Sequence, residues 1–166
     1  MEKYTSQHSK LEQLNFMKRA AELSKIGSQK GAGGPFGCVI VKNGQIVGEG
    51  HNRVTSTNDP TAHAEIVAIR EACKNLNSFQ LDGCEIYTSC EPCPMCLGAI
   101  YWARPKAIYY GNSRVDAAKI GFDDQYIYDE IKLPLDNRQI PILQMGRSET
   151  IKSFKFWEKW EGKTKY

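Results

Sequence analysis

Apolar residues near the start of the chain recur every three or four positions, at Leu11, Leu14, Met17 and Ala21. This spacing places the four side chains on one face of a helix, and it predicts a helix over about residues 11–26. Gly27 directly follows this segment and predicts the end of the helix. The glycines of the loop at 31–35 do not match a phosphate-binding fingerprint, so the loop is predicted to be a plain turn.

The next segment, 36–41, is apolar at almost every position. Because its apolar residues do not alternate with polar ones, the segment is predicted to be a strand that is covered on both faces. Asn43 and Gly44 separate it from a second apolar pair, Ile46 and Val47. An Asn-Gly pair between two such runs is the strongest short-range signal of a β-hairpin, and two antiparallel strands are therefore predicted here.

Patterns in the rest of the chain predict alternating helices and strands. Asp59-Pro60-Thr61 is typical of a helix start, because proline suits the first helical turn, and that helix is expected to run to about Asn75. The later elements are predicted, in order, as a strand near 85–88, a helix over 94–103, a strand near 107–110, a short helix near 123–131, a strand near 140–144 and a last helix over 149–160. A hairpin followed by this alternation predicts one mixed sheet with helices on both faces.

The composition is that of an ordinary globular protein. The 166 residues are 41% hydrophobic and 25% charged, and a chain of this length without repeats or a long linker is expected to form a single domain over 1–166. The formal net charge of +3 gives no global electrostatic basis for binding nucleic acid or a membrane surface. Residues 1–10 lack the apolar core of a signal peptide and no apolar run is long enough to cross a membrane, so a cytoplasmic location is expected.

Three of the six cysteines lie close together, at Cys90, Cys93 and Cys96. In a reducing compartment, such spacing indicates metal binding or catalysis rather than disulfide bonds. His63-Ala64-Glu65 precedes this group along the chain. Either motif alone would be weak. In this order, however, His-x-Glu followed by Pro-Cys-x-x-Cys is the signature of zinc deaminases, in which the histidine and two cysteines bind the metal and the glutamate moves protons.

The motifs provide three metal ligands, His63, Cys93 and Cys96, which is the number found in catalytic zinc sites that leave one position open for water. Cys90 is an alternative ligand, because it also forms a Cys-x-x-Cys pair with Cys93. Pro94 disfavours helical geometry at Cys93, so Cys93 is expected to cap the helix and Cys96 to lie in its first turn, where the helix dipole stabilises thiolates. The cysteines outside this turn are expected to pack in the core, namely Cys38, Cys73, Cys84 and Cys90.

Glu65 is expected to carry protons rather than to bind the metal. A zinc centre with two thiolates and one neutral imidazole is formally neutral, and it acidifies water less than a centre with three histidines. A nearby carboxylate that accepts the proton from water makes a nucleophile available at neutral pH, and it can then protonate a ring nitrogen and the leaving amine. Residues two apart in the middle of a helix face nearly opposite ways. His63 and Glu65 therefore converge only if they lie at a helix start, where the turn at 59–61 is expected to place them.

Segments 58–65 and 88–96, which contain these motifs, resemble the cytidine deaminase superfamily. Gly-Gly-Pro-Phe-Gly at 33–37, Ile-Gly-Phe-Asp-Asp at 120–124 and the C-terminal Tyr166 are similar to its bacterial guanine deaminases, and the resemblance runs from about residue 16 to residue 166. The resemblance implies a three-layer α/β/α sandwich with a mixed five-stranded sheet and one Zn²⁺ ion per chain. It also implies hydrolysis of guanine to xanthine and ammonia.

The resemblance assigns substrate contacts to five residues, with polar contacts at Asn52, Asp124 and Tyr166 and apolar walls at Phe36 and Trp102. The residues alone leave other roles open. Asn52 could be a turn residue that ends the hairpin, and Phe36 and Trp102 could be ordinary core residues. Asp124 could cap a helix, with Asp123 as the true ligand.

The resemblance also implies a homodimer in which the C-terminal segment, about 149–166, crosses to the partner subunit and completes its active site. Ile151, Phe154, Trp157 and Trp160 recur every three residues in this segment, and most of its lysines fall elsewhere. A basic stripe beside aromatic residues could bind RNA, but a solvated face opposite a packed face is the commoner arrangement. In the swapped dimer, the aromatic face would pack on the partner subunit.

Three alternative functions share some of these features. A guanosine deaminase would have the same motifs. So would a tRNA adenosine deaminase, although such an enzyme usually carries a basic surface that a net charge of +3 does not provide. A non-catalytic zinc-binding module is the third alternative, and the presence of Glu65 beside only three strong ligands argues against it.

Overall fold

The computed structural model describes residues 4–165. They divide into two compact units, of which the first ends at Asp124 and the second begins at Gln125. In the first unit, the helices are α1 (Lys10–Gln29), α2 (Val54–Thr57), α3 (Ala64–Leu76), α4 (Pro94–Ala103) and α5 (Arg114–Lys119), and the strands are β1 (Gly37–Lys42), β2 (Gln45–His51), β3 (Glu85–Cys90) and β4 (Ala107–Asn112). The second unit contains α6 (Gln125–Lys132), a 3-10 turn (Leu135–Asn137) and α7 (Arg147–Lys159).

The strands of the first unit form one mixed sheet in the order β2-β1-β3-β4. β1 pairs antiparallel with both β2 and β3, whereas β3 and β4 are parallel. α1 packs on one face of the sheet, and α3 and α4 contribute to the core on the other face. The first unit therefore has a helical layer on each side of a mixed sheet, as the sequence predicted.

The packing of β1 explains why segment 36–41 is apolar almost throughout. Val39 and Val41 pack with side chains of α1 on one face of the sheet. Cys38 and Ile40 point the other way and pack with α3. The strand is thus buried on both faces, and the prediction made from its lack of alternation is confirmed.

The predicted hairpin between β1 and β2 is also confirmed. Asn43 and Gly44 connect the two strands, and their φ angles are +51° and +79°. A type I′ turn needs positive φ at both of its central residues, which asparagine tolerates and glycine adopts without a steric penalty.

Helix α1 continues past the residue that was predicted to end it. It begins after Ser9, whose side chain forms a reciprocal capping box with Glu12. Gly27 lies inside the helix, where an added β-carbon would lie 2.7 Å from His51 Nδ1. The glycine therefore permits a close approach between α1 and β2, and Lys30 occupies the C-cap instead.

The prediction of a strand at 140–144 is wrong, and so is the fifth strand that the family resemblance implied. The structure contains no strand in this segment, and its apolar side chains are exposed, with Ile140 at 72% and Leu143 at 84%. Pro141 has no backbone N–H to donate to a neighbouring strand, and a strand without paired neighbours is not stable on its own. Within residues 4–165, the sheet has four strands.

The other predicted elements are confirmed with small shifts at their ends, except that α3 begins only at Ala64. α4 has the bounds that the sequence indicated, and β3 and β4 each run two residues further than predicted. The short helices α2 and α5 were not predicted, because neither is long enough to show an apolar period. No helix in the described part of the chain is both long enough and apolar enough to cross a membrane.

Candidate metal centre and active site

Two helix N-termini hold the four motif residues. His63 is the N-cap of α3 and Glu65 lies in its first turn, while Cys93 is the N-cap of α4 and Cys96 lies in that helix's first turn. Both N-cap residues have an extended backbone, with ψ at 157° for His63 and 168° for Cys93. Pro94 occupies the start of α4, where its ring keeps Cys93 out of the helical conformation.

Helix α3 starts later than the sequence predicted. Residues 59–61 form a turn instead, in which the Thr61 backbone N–H donates to Asp59 Oδ1 at 2.8 Å, and the helix begins only at Ala64. An aspartate side chain can close such a turn on the backbone two residues further on, and this local hydrogen bond competes with helix formation. His63 and Glu65 still converge, because the later start places both of them at the beginning of the helix.

The side chains of His63, Cys93 and Cys96 meet in space. His63 Nδ1 lies 3.5 Å from Cys93 Sγ and 3.5 Å from Cys96 Sγ, and all three possible ligand atoms lie within 4.8 Å of one another. A tetrahedral zinc ion with Zn–N of about 2.0 Å and Zn–S of about 2.3 Å would hold nitrogen and sulfur roughly 3.5 Å apart. The donor atoms and their spacing therefore fit one zinc ion.

Contacts within this ligand group favour a thiolate. A hydrogen bond from Cys96 is the main cause that lowers the pKa of Cys93 to about 4, and His63 acts in the same direction. The same hydrogen bond, together with burial, raises the pKa of Cys96, and hydrogen bonding to Cys93 raises the pKa of His63. Cys93 is therefore ionised at neutral pH, which is the form in which cysteine binds metal.

Four cysteines lie outside the ligand group, namely Cys38, Cys73, Cys84 and Cys90. Cys90 is the one that the sequence left open as an alternative ligand. It is buried, its thiol donates to the Ser113 carbonyl oxygen at 3.7 Å, and burial raises its pKa to about 11. Cys90 therefore remains a protonated thiol, and the cysteines that approach His63 are the two that the sequence favoured.

Glu65 lies beside the ligand group and is 5% exposed. Its Oε1 accepts a hydrogen bond of 2.6 Å from the Thr88 hydroxyl, and Cys96 Sγ donates to its Oε2 at 3.4 Å. Burial raises the pKa of Glu65, although the hydrogen bonds from Thr88 and Cys96 act in the opposite direction. A carboxyl group whose pKa is shifted toward neutrality can both accept and return a proton, as general acid–base catalysis requires.

Asn52 follows β2 and is 4% exposed. Its Oδ1 accepts a hydrogen bond of 3.1 Å from the Val54 backbone N–H, so its carbonyl group has the turn role that the sequence left open. A β-carbon on Gly33 would lie only 2.0 Å from the same oxygen. Gly33 therefore allows the glycine-rich loop to pass directly beside the Asn52 amide and to fix its position.

Phe36 contacts an aromatic residue that the sequence analysis did not single out. The rings of Phe36 and Phe122 meet edge to face, with their centroids 4.9 Å apart and their planes at 88°. A β-carbon on Gly34 would lie 2.7 Å from Phe122 Cζ, so the second glycine of the loop makes room for this ring. The sequence feature that could have indicated Phe122 as a site residue was its position within the Ile-Gly-Phe-Asp-Asp stretch.

The remaining predicted contacts differ in location. Asp124 is half-buried, and burial together with the charge of Cys93 raises its pKa, while Asp123 is exposed. Trp102 lies about 13 Å along the axis of α4 from Cys93 and is 66% exposed. The structure thus does not bring Trp102 to the ligand group of its own chain. Tyr166 lies outside the described residues.

Residues 10–112, which include all four motif residues, match the family described as the cytidine and deoxycytidylate deaminase zinc-binding region. The chain belongs to this family. The order of the two motifs along the chain, His-x-Glu before Pro-Cys-x-x-Cys, is the order found in zinc deaminases.

Several known proteins are similar to the chain over different lengths. Guanine deaminase of Bacillus subtilis (strain 168) is 56% identical over 151 residues, which are 91% of this chain and 97% of that protein. An X-ray structure of guanine deaminase from Bacillus subtilis matches with a TM-score of 0.90, over 92% of this chain and 98% of its own. A guanine deaminase structure from Nitrosomonas europaea matches at 34% identity with a TM-score of 0.62, over 66% of this chain and 63% of that one. The tRNA-specific adenosine deaminase of Aquifex aeolicus (strain VF5) is 44% identical over 95 residues, which are 57% of this chain and 62% of that protein.

Proposed function

We propose that this chain hydrolyses guanine to xanthine and ammonia with one bound zinc ion. The observation that carries the proposal is the extent of its similarity to the Bacillus subtilis guanine deaminase. That similarity covers 151 residues at 56% identity, which is more than the first unit contains, since that unit ends at Asp124. The similarity to the Aquifex aeolicus tRNA-specific adenosine deaminase covers 57% of the chain.

The mechanism follows from the position of Glu65. A zinc ion held by His63, Cys93 and Cys96 would act as a Lewis acid that makes water more acidic. Glu65 accepts a proton from the attacking water through Oε2, the oxygen that faces Cys96. It delivers this proton to N3 of guanine, the unprotonated ring nitrogen beside C2, while the water oxygen bonds to C2. The remaining hydroxyl proton then passes through Glu65 to the exocyclic amine. The bond between C2 and this amine breaks, ammonia leaves, and xanthine is formed.

The residues around this carboxylate provide the contacts that we propose for the base. Phe36 and Phe122 form an apolar wall against which a flat ring can pack. Asn52 and Asp124 contribute polar groups that fix the orientation of a bound ligand in a mainly apolar site. Guanine carries one ring N–H donor, at N1, beside the carbon that bears its amine, and the Asp124 carboxylate is suited to accept a hydrogen bond from it.

We also propose a homodimer in which the segment 149–166 reaches the active site of the partner subunit and Tyr166 closes it. The proposal is supported by the exposed aromatic residues that recur every three positions in α7, such as Phe154 at 74% and Trp157 at 42%. It is also supported by Trp102, which is exposed and far from the ligand group of its own chain. Contiguous exposed apolar residues mark interaction surfaces, and a segment exchanged in a two-fold dimer is exchanged symmetrically.

We place the protein in the cytoplasm. None of its six cysteines, all of which lie within the described residues, forms a disulfide. A reducing compartment keeps thiols in this state, whereas secreted proteins with several cysteines usually form disulfides.

The proposal is tested by ammonia release from guanine, guanosine, adenine, cytosine, cytidine and a tRNA, each incubated in parallel with zinc-loaded protein. Guanine should be the fastest substrate. A Glu65→Gln preparation serves as the control for contaminating deaminases, because it has the same purification history. If the protein does not deaminate guanine but deaminates guanosine or tRNA, guanine is rejected as the substrate. If it deaminates none of the compounds, a non-catalytic zinc-binding module is favoured.

A further inference from the structure

Thr88 is a buried polar residue whose position is set by the sheet. It lies in β3, between β1 and β4, and is 0% exposed. Its backbone is paired with Cys38 of β1 and with Tyr110 of β4. Ile86, which lies on the same face of β3, packs in the core with α3 and α4, so the side chain of Thr88 points toward the helices that carry the motifs. A group on such a paired strand is held more rigidly than a group on a loop.

The hydroxyl of Thr88 contacts one oxygen of the Glu65 carboxylate. It donates to Oε1 at 2.6 Å, which is the short distance typical of a hydroxyl bound to a charged carboxylate. The other oxygen, Oε2, faces Cys96 Sγ at 3.4 Å. A free glutamate side chain can rotate about several bonds. A hydrogen bond that holds one carboxylate oxygen restricts these rotations, and therefore restricts the direction of the other oxygen. The hydroxyl thus anchors one oxygen to the sheet and leaves the second turned toward the metal ligands.

We propose that Thr88 is a positioning residue for proton transfer, whose hydroxyl holds Glu65 so that Oε2 reaches both water and base. This role rests on the proposed function of Glu65. Because Thr88 is fully buried, its effect on the reaction passes through Glu65 rather than through contact with the substrate. A side chain that served only to fill the core would be replaced without kinetic effect by one of equal shape, so the hydroxyl itself is the group to test.

The variants separate the hydroxyl from the volume of the side chain. Thr88→Val removes the hydroxyl and keeps a similar shape, whereas Thr88→Ser keeps the hydroxyl. Tyr87→Phe is the matched control on the opposite face of β3, because the Tyr87 hydroxyl donates to the buried carboxylate of Glu85 at 2.5 Å. Both Thr88→Val and Tyr87→Phe therefore remove a buried hydroxyl–carboxylate bond from the same strand. Should Thr88→Val fail to fold, Thr88→Ala is compared with Thr88→Ser instead.

The readouts are kcat and KM for guanine, zinc content, and the urea midpoint of unfolding. For Thr88→Val we expect kcat to fall about tenfold or more, which corresponds to the loss of one hydrogen bond to a charged group. KM and zinc content should be unchanged, because the lost contact acts on the chemical step. Thr88→Ser should restore kcat, and Tyr87→Phe should lower the urea midpoint without changing kcat.

A double-mutant cycle tests whether Thr88 acts through Glu65. In a Glu65→Gln background, Thr88→Val should cause no further loss of kcat, because the group that it positions is already inactive. The proposal is overturned by wild-type kcat in Thr88→Val, by equal slowness of Thr88→Ser, by an equal loss in Tyr87→Phe, or by a full additional loss in the Glu65→Gln background. A wild-type protein that is inert on guanine would overturn the proposed function instead, so the two failures are distinguishable.

Discussion

The two faces of β3 each carry a buried glutamate contact, and the two contacts differ in the number of hydroxyl groups that take part. On the face toward α3, Glu65 accepts one hydroxyl hydrogen bond, from Thr88. On the face toward α1, the carboxylate of Glu85 accepts three, from Tyr4, Ser6 and Tyr87. Both glutamates are almost completely buried, at 5% and 2% exposure, so burial alone does not distinguish them.

Burial and hydrogen bonding act in opposite directions on the pKa of each carboxyl group, and the balance differs between the two glutamates. Burial raises the pKa of Glu85, but the hydrogen bonds from Ser6, Tyr87 and Tyr4 outweigh it and leave the pKa lowered. At Glu65 the effect of burial prevails, and the pKa is raised. Hydrogen bonds to the charged form of a carboxyl group favour that form. One face of β3 therefore holds a carboxylate that stays charged and fastens the N-terminal segment, while the other holds one that can take up a proton.

The largest effect should come from removing a metal ligand on the α3 side. Cys93→Ala should lose both zinc and turnover, because the two remaining ligands do not complete a zinc site. Cys90→Ala should keep zinc, since Cys90 lies outside the ligand group. Elemental analysis of the purified proteins measures the difference, with about one zinc expected per wild-type chain. Full zinc retention in Cys93→Ala would reject this ligand set.

The second largest effect is the difference in turnover between the variants Glu65→Gln and Glu85→Gln. Glu65→Gln should lower turnover at least about a hundredfold, because the amide keeps the shape of the side chain but cannot accept the proton. Zinc content and fold should be kept. Glu85→Gln should leave the turnover of the folded protein unchanged, as Glu85 lies on the other face of β3. Near-normal ammonia release by Glu65→Gln would remove its role as proton carrier.

Tyr166 should affect the Glu65 side of β3 from the partner subunit. Deleting it should lower turnover about tenfold or more, as expected for the loss of a hydrogen bond to the bound base, and leave zinc content and dimer mass unchanged. The Tyr166 deletion and Glu65→Gln can then be mixed and allowed to exchange subunits. If Tyr166 acts in trans, each heterodimer has one site with both defects and one with neither, so activity returns. No recovery despite demonstrated exchange would exclude the swapped segment.

The smallest effect is expected on the α1 side and concerns stability. Glu85→Gln should lower the free energy of unfolding at pH 7 by about 1.5–3 kcal/mol, the usual contribution of hydrogen bonds to a charged group. Because the pKa of Glu85 is lowered in the folded protein, its stabilisation is complete above its unfolded pKa of about 4.3 and is lost as the pH falls through its folded pKa. Urea unfolding at neutral and acidic pH should therefore show a gap between wild type and variant that narrows in acid. A gap that is the same at both pH values would contradict this account.

Features that depend on neighbouring residues could be predicted from the sequence. Pro94 sets the start of α4 by its own geometry, and it also places Cys93 and Cys96 at the N-terminus of that helix. Asn43 and Gly44 likewise form the hairpin turn from local backbone preferences. α4 has the predicted bounds and β1 is displaced by one residue, because the physical cause lies inside the element.

Features that depend on distant partners could not be predicted. Gly27 looked like a helix stop, and only its contact with His51 shows that it serves a close approach. The pairing of Thr88 with Glu65 joins residues 23 apart in sequence, and no spacing rule indicates it. The contact between Phe36 and Phe122 also joins residues that are far apart in sequence, and no spacing rule indicates it. The predicted start of α3 at Asp59 was wrong, because an aspartate before proline suits either a helix cap or a turn.

The order of the strands in the sheet also determines at which stage of folding the metal site can form. β1 and β2 join across a two-residue turn, and a hairpin of this kind closes within about 1–10 μs. β3 must instead return to the side of β1 across residues 52–84, a non-local pairing that is slower to form. His63 precedes β3 along the chain and Cys93 follows it, so the ligands have no fixed relation until β3 has docked. A newly made chain that has formed only its hairpin therefore has no assembled site in which to capture the ion.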